Sequence, residues 1–150
     1  MKKHWTVYLA GEIHSDWREE IINKATEKNL PIIFSAPITD HEASDMIGAW
    51  TLGEEQQDFW RDRKGAGINA MRTGTSLDDA DIVIVKFGEK YRQWNAAFDA
   101  GQASAKGKSL IIIHPEDFNH ALKEVDAAAN AICRDHDQVV KILEYVTTKK

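Results

Sequence analysis

Asn95, Asp99 and Gln102 follow one another at i, i+4 and i+7, a spacing that lays a carboxylate between two amides along one stripe of a helix. Near the positive end of a helix dipole such a carboxylate is expected to stay ionised, and an ionised carboxylate is what covalent attack on a sugar carbon requires. The plainer reading is a solvated helix face, since ordinary surface acids far outnumber nucleophiles. A second cluster, Tyr8, Gly11, Glu12, His14 and Asp16, lies near the start of the chain. A tyrosine hydroxyl can orient a nucleophilic carboxylate by a hydrogen bond, and a glycine lets a ligand approach the backbone closely. On pattern alone the reading of Tyr8 as a half-buried strand aromatic is the stronger one. Glycosidic chemistry also needs a second carboxylate as general acid or base, for which Glu12, Asp16 and Glu89 are the candidates. Asp16 also suits a helix cap.

These residues can converge only if the chain brings strand ends and helix starts together. Five short apolar runs read as strands: Thr6 to Ala10, Pro31 to Ser35, Asp81 to Phe87, Ser109 to His114, and a weak one from Ala131 to Arg134. Helical patterns separate them. The first runs from Ser15 or Asp16 to about Asn29, with Asp16 and Glu19 spaced as a capping box and Trp17, Ile21, Ile22 and Ala25 facing inward. The others span Gln93 to Lys106, Glu116 to Ala128, and a closing helix capped by Asp137 with Val139, Ile142, Leu143 and Val146 on one side. On the helix from Gln93, the residues Trp94, Ala97, Phe98, Gly101 and Ala105 are expected to form the packed face. Strands alternating with helices predict a flavodoxin-like three-layer α/β sandwich, with a five-stranded parallel sheet in the order 2-1-3-4-5. The switch point of that order lies between strands 1 and 3, where the loops Gly11 to Asp16 and Gly88 to Trp94 would line one crevice.

The segment 37–76 is long, polar and poor in clean periodicity, and is expected to hold two irregular helices as a binding, lid or interface segment of a single domain spanning 1–150. Its Arg61, Arg63 and Lys64, with Arg72, could hold an anion or form a solvated basic face. Trp50, Phe59 and Trp60 in the same segment have no evident core of their own and suggest a homo-oligomer.

The formal charge of −5 argues against a nucleic-acid polymer as partner. No apolar run approaches a membrane span, and the first residues are too polar for a signal h-region. A single cysteine, Cys133, excludes an internal disulfide and fits a reducing, cytoplasmic setting. The histidines show no metal-site spacing, and neither GxGxxG nor GxxxxGK[ST] occurs. No metal or cofactor is expected.

The runs Val7-Tyr-Leu-Ala-Gly-Glu-Ile-His-Ser-Asp-Trp-Arg18, Phe87-Gly-Glu-Lys-Tyr-Arg-Gln-Trp-Asn95 and Asp99-Ala-Gly-Gln-Ala through Gly107-Lys108 to Glu116 resemble the YtoQ family of bacterial proteins. That family is in turn similar to the nucleoside 2-deoxyribosyltransferases. The resemblance implies a flavodoxin-like fold and cleavage of the bond between base and deoxyribose through a covalently glycosylated carboxylate. The transferase pattern Glu-x-Gly-Tyr-Ala falls on Asp99-Ala-Gly-Gln-Ala, which puts the nucleophile at Asp99, one methylene shorter than glutamate. The strand-1 tyrosine of the transferases falls on Tyr8, and an acid expected two turns before the nucleophile is matched by Gln93. The resemblance thus implies catalytic roles for Asp99 and Tyr8. Glu89 stands as a substitute acid, and Gly11, Glu12, His14, Asp16, Asn95 and Gln102 as substrate-binding residues. The implied ligand is a small nucleoside or nucleotide, and the related transferases complete their sites across subunits. The competing expectations are a nucleoside- or nucleotide-binding module without turnover and a partner-binding protein.

Overall fold

The computed structural model describes residues 4–90 and 92–148. Five parallel strands form one sheet in the order β2-β1-β3-β4-β5: β1 (Trp5–Gly11), β2 (Ile32–Ser35), β3 (Ile82–Lys86), β4 (Ser109–Ile113) and β5 (Ala131–Cys133). The expected order is the observed one. Every pairing is parallel, with Val7 opposite Ile82 and Lys86 opposite Ile113. The near-continuous apolar character of β3 and β4 follows from burial on both faces.

Alternation along the strands divides the core in two. Val7, Leu9, Ile82, Ile84, Ile111 and Ile113 meet Trp17 and Ile21 of α1 (Trp17–Glu27) and Val139, Val140 and Leu143 of α6 (His136–Thr148). On the opposite face Tyr8, Ala10, Val83, Val85, Leu110 and Ile112 meet Leu77 near the end of α3 (Asp58–Asp79) and Ala96, Ala100 and Ala103 of α4 (Trp94–Ala105). The packed face of α4 is thus the alanine stripe at i, i+4 and i+7; of the expected Trp94, Ala97, Phe98, Gly101 and Ala105, only Ala97 packs against the core, and it does so partly buried. Bulky strand residues fill the space beneath the helix, so only small side chains let α4 settle close to the sheet. Trp94 and Phe98 turn outward, 73% and 68% exposed.

Segment 37–76 departs further from expectation. It forms two regular helices, α2 (His41–Leu52) and α3, the latter 22 residues long and running past the segment to Asp79. Glycines at 65, 67 and 74 lower the helix propensity of α3 and obscure its period. Tertiary packing overrides that cost: a Cβ on Gly48 would lie 2.5 Å from the Gly65 amide nitrogen, so the two backbones touch where side chains are missing. Asp40 caps α2 by accepting from the Ala43 amide at 3.1 Å.

Helix starts elsewhere also differ. Asp16 occupies the N-cap of α1 but makes no side-chain cap bond, and Ser15, the alternative cap, donates to the Glu12 carboxylate. Asp135, not Asp137, caps α6 by accepting from the Gln138 amide at 2.8 Å, while Asp137 pairs with Lys24. Thr147 rather than Val146 completes the inward face of α6. The expected helix from Glu116 to Ala128 is broken into a 3-10 turn (Glu116–Phe118) and α5 (Lys123–Ala128). Buried His114 explains the break: its Nε2 lies 2.9 Å from Asp126 Oδ1, and Arg134 reaches Asn119 Oδ1 at 2.7 Å, so the connection folds around these polar groups.

The carboxyl end of β1 is closed by an element absent from the expected faces. Arg18 is buried and donates from Nε to the Leu9 carbonyl at 2.9 Å, from Nη1 to the Glu12 carbonyl at 2.7 Å and from Nη2 to the Gly11 carbonyl at 3.1 Å. Trp17 Nε1 donates to the same Glu12 carbonyl at 2.9 Å. Gly11 itself has φ +110°, and a Cβ there would meet the Lys86 carbonyl oxygen at 2.2 Å. Replacing Arg18 by Met keeps the side-chain volume but strands these carbonyls, for a cost on the order of 3 kcal/mol. Urea denaturation of Arg18→Met is expected to show that loss; a midpoint equal to wild type would contradict it.

Candidate functional site

A cavity of ≈ 640 Å³ opens beyond the carboxyl ends of β1 and β3, within the range of small-molecule sites. Gly11 and Ile13 contribute from the β1–α1 loop, and Pro37 and Ile38 from the connection after β2. His41, Ser44 and Asp45 come from α2, and Asp62, Asn69, Arg72 and Thr73 from α3. Asn95, Phe98, Asp99 and Gln102 come from α4. The i, i+4, i+7 polar stripe of α4 therefore lines the cavity as one unit. Sequence reasoning missed His41, Asn69 and Thr73. The signal for Asn69 and Thr73 lay in the helical spacing of Asp62, Gly65, Ala66, Asn69, Ala70 and Thr73, legible only once α3 is read as one continuous helix.

Asp99 lies on α4 beside the alanine stripe, half-buried, and burial pushes its carboxyl up to about 6. This is higher than the helix-dipole argument implies, because Asp99 is the sixth residue of α4 and the dipole's effect fades within the first turn. The group remains mostly ionised at neutral pH and becomes neutral just below it. Tyr8 on β1 is buried on the same side of the sheet. Its phenol is pushed up to about 12, first by burial and then by the negative charge of Asp99, against the opposing influence of a Thr73 hydrogen bond and the charges of Arg18 and Arg72. The phenol is thus a neutral donor, with Thr73 holding its oxygen and Asp99 within electrostatic reach. Asn69 is fixed by donating from Nδ2 to the Ser44 carbonyl at 2.9 Å.

The other expected residues are placed differently. Glu12 is buried behind the cavity wall and accepts from the His14 amide at 2.6 Å and from the Ser15 hydroxyl. Desolvation raises the pKa of its carboxyl, but those hydrogen bonds and the charges of Lys86 and Arg18 outweigh it and hold the group below its ordinary value. Glu12 therefore acts as an ionised organiser of its loop. His14 is exposed and stacks on His41 with ring centroids 5.8 Å apart, but does not line the cavity. Asp16 and Glu89 are exposed and do not line the cavity.

The loop 88–93 does not share the crevice as expected, among its described residues; Tyr91, quoted for the family resemblance, lies outside them. Gln93 holds the loop closed, its Oε1 accepting from the Gly88 amide at 2.8 Å and its Nε2 donating to the Lys90 carbonyl at 3.0 Å. The Glu12 side chain packs against Gly88, where an added Cβ would lie 3.0 Å from Glu12 Cγ. Of the basic group only Arg72 lines the cavity; Arg61 pairs with Asp58 and Asp62, and Lys64 with Glu55. Cys133 is buried in β5, its thiol pushed up to about 11 by burial and then by the Asp135 charge. Among the described residues no group of three or more potential metal ligands occurs, and no helix is long and apolar enough to cross a membrane.

A family model described as nucleoside 2-deoxyribosyltransferase YtoQ matches residues 8–147. The uncharacterised protein YtoQ of Bacillus subtilis (strain 168) is 49% identical over 140 residues, covering 93% of this chain and 95% of its own. Among solved structures, a conserved protein from Enterococcus faecalis V583 superposes with a TM-score of 0.67 at 10% identity, over 95% of this chain and 99% of the other. A 2-deoxyribosyltransferase from Bacillus psychrosaccharolyticus superposes with a TM-score of 0.56 at 18% identity, over 90% of each chain. At those identities the two structures speak for a shared fold. The extent of the family match and the identity to the Bacillus subtilis protein establish the relationship: this chain belongs to the family described as nucleoside 2-deoxyribosyltransferase YtoQ.

Proposed function

We propose that the protein cleaves the N-glycosidic bond of a nucleoside or nucleotide, with Asp99 as the nucleophile and Tyr8 as the group that orients it. The observation that carries this reading is a half-buried carboxylate, raised to about 6, that shares a nucleoside-sized cavity with two amides and sits within reach of a buried, neutral phenol. Burial, with no ion pair to Asp99 among the described residues, leaves its oxygens poorly solvated, which favours their use in bond formation. Asn95 and Gln102 flank it with donors for sugar hydroxyls. Gly11 gives the ligand room at the end of β1. The sugar passes from Asp99 either to a second base or to water. The alternative is a nucleoside-binding module without turnover.

Incubation with a 2′-deoxynucleoside and a second free base tests the reading. A new nucleoside is expected from transfer, and free sugar from hydrolysis; thermal stabilisation by the nucleoside without turnover would favour the binding module. Asp99→Asn is expected to keep the fold and lower turnover by at least three orders of magnitude, because an amide cannot supply the attacking oxygen anion. Full activity in that variant would remove Asp99 from the mechanism.

The raised carboxyl of Asp99 sets a pH limb. Since only the ionised form attacks, kcat/KM is expected to fall as pH drops through about 6. A limb at the ordinary aspartate value near 4 would contradict the role of burial.

We further propose a homo-oligomer built on the exposed apolar surface of α3 and α4. Phe59, Trp60, Trp94 and Phe98 are all more than half exposed there, and Phe98 also lines the cavity, so a second copy seated on α4 would narrow its mouth. Sedimentation at micromolar concentration is expected to show an assembly that Trp94→Glu dissociates. A wild-type monomer would contradict this.

A further inference from the structure

The nucleophile explains how the sugar is captured but not how the base departs. A nucleobase leaves as a poor anion unless a ring nitrogen receives a proton as the bond breaks. The three carboxylates that the sequence offered for this step are not positioned for it: Glu12 is held ionised behind the wall, and Asp16 and Glu89 lie outside the cavity lining. Of the acids that do line the cavity, Asp62 sits 3.8 Å from the Arg61 guanidinium, and Asp45 sits 3.7 Å from His41 Nδ1. Both carboxylates thus face a neighbouring basic side chain, and the remaining proton carrier is an imidazole ring, which can both give and take a proton.

His41 is the imidazole of the cavity lining. It is the first residue of α2, so the Asp40 cap and the helix start fix its backbone. Asp45 lies one turn on at i+4 on the Nδ1 side, which leaves Nε2 on the far edge of the ring for a ligand. The His14 ring stacks on it at 5.8 Å with 23° between planes, restricting its rotation from the β1–α1 loop. His41 and Asp99 thus stand on different helices around one cavity, a division of labour that a nucleophile and a leaving-group acid require.

Building on the glycosidic reading, we propose that His41 is the general acid that protonates the departing base and the general base for the second step, with Asp45 and His14 as its positioning residues. An Asp99 carboxylate oxygen gives an electron pair to C1′, and the C1′–N bond breaks with its pair passing to the base. The His41 imidazolium delivers a proton to a ring nitrogen, so a neutral base departs and a neutral imidazole remains beside the Asp99 glycosyl ester. In the second step the incoming base or water attacks C1′ and gives its proton to His41. The Asp99 carboxylate and the imidazolium are then restored.

The test compares two leaving bases in wild type and His41→Gln: 2′-deoxyadenosine, whose base needs a proton, and 7-methyl-2′-deoxyguanosine, whose cationic base departs without one. After subtraction of spontaneous cleavage, His41→Gln is expected to lose at least about 100-fold in the single-turnover rate of base release on the first substrate and less than about tenfold on the second, a readout that precedes the step in which His41 takes a proton back. Circular dichroism and the thermal midpoint check that the variant is folded, and His41→Asn serves as a second variant if it is not. Equal losses on both substrates would overturn the proposal and reduce His41 to a binding contact, and no loss on either would remove it from the site. Wild-type cleavage of the methylated nucleoside alone would also overturn the proposal while leaving the glycosidic reading intact. Absence of wild-type cleavage of both would overturn the glycosidic reading and this inference together.

Discussion

The site depends on how the chain leaves β1. At the end of that strand the backbone must turn away while its carbonyls lose their sheet partners inside the protein, a loss that each uncompensated group makes costly. Arg18 resolves this from one helix turn away, giving three donors to the carbonyls of Leu9, Gly11 and Glu12, with Trp17 adding a fourth bond. The guanidinium is itself desolvated, which lowers its pKa, and the nearby Glu12 charge opposes that effect. Gly11 completes the turn because no side chain fits against Lys86. With the strand end locked on one face of the sheet, Tyr8 is held on the other, where α4 brings Asp99 to it.

Burial does the remaining electrostatic work. The alanine face of α4 lets the helix lie close to the sheet, and the α2–α3 hairpin closes over the cavity through the contact of Gly48 with Gly65. Both features withdraw water from Asp99 and Tyr8. The carboxyl rises to about 6 and the phenol to about 12, each with burial as the main cause. Glu12, a few residues from Tyr8, shows the opposite outcome in the same part of the fold, because hydrogen bonds to its ionised form outweigh its desolvation. The two carboxylates thus shift in opposite directions, one under desolvation and one under hydrogen bonding to its ionised form.

Much of this was legible in the sequence, for physical reasons that differ between elements. The strands announce themselves because runs such as Ile82 to Val85 are buried on both faces, and their order follows from alternation with helices and right-handed crossovers. The polar stripe of Asn95, Asp99 and Gln102 could be read from period alone. Its neighbouring packed face could not, since large apolar residues attract attention while the alanines at 96, 100 and 103 make the contact. The roof of the cavity was hidden because glycines in α3 look like helix breakers until the partner helix that needs them is present. Arg18 and Gln93 were missed for a shared reason: each satisfies backbone groups of a loop, and such demand has no periodicity.

The central claim is a covalent bond between Asp99 and a sugar. Acid quenching during turnover of a 2′-deoxynucleoside, without an acceptor base, followed by intact-protein and peptide mass spectrometry, addresses it most directly. The account predicts a fraction of the protein heavier by one deoxyribosyl group, with the adduct on the peptide containing Asp99 and absent from Asp99→Asn. Product formation with the adduct on another residue, or unabated product formation by Asp99→Asn, would contradict it.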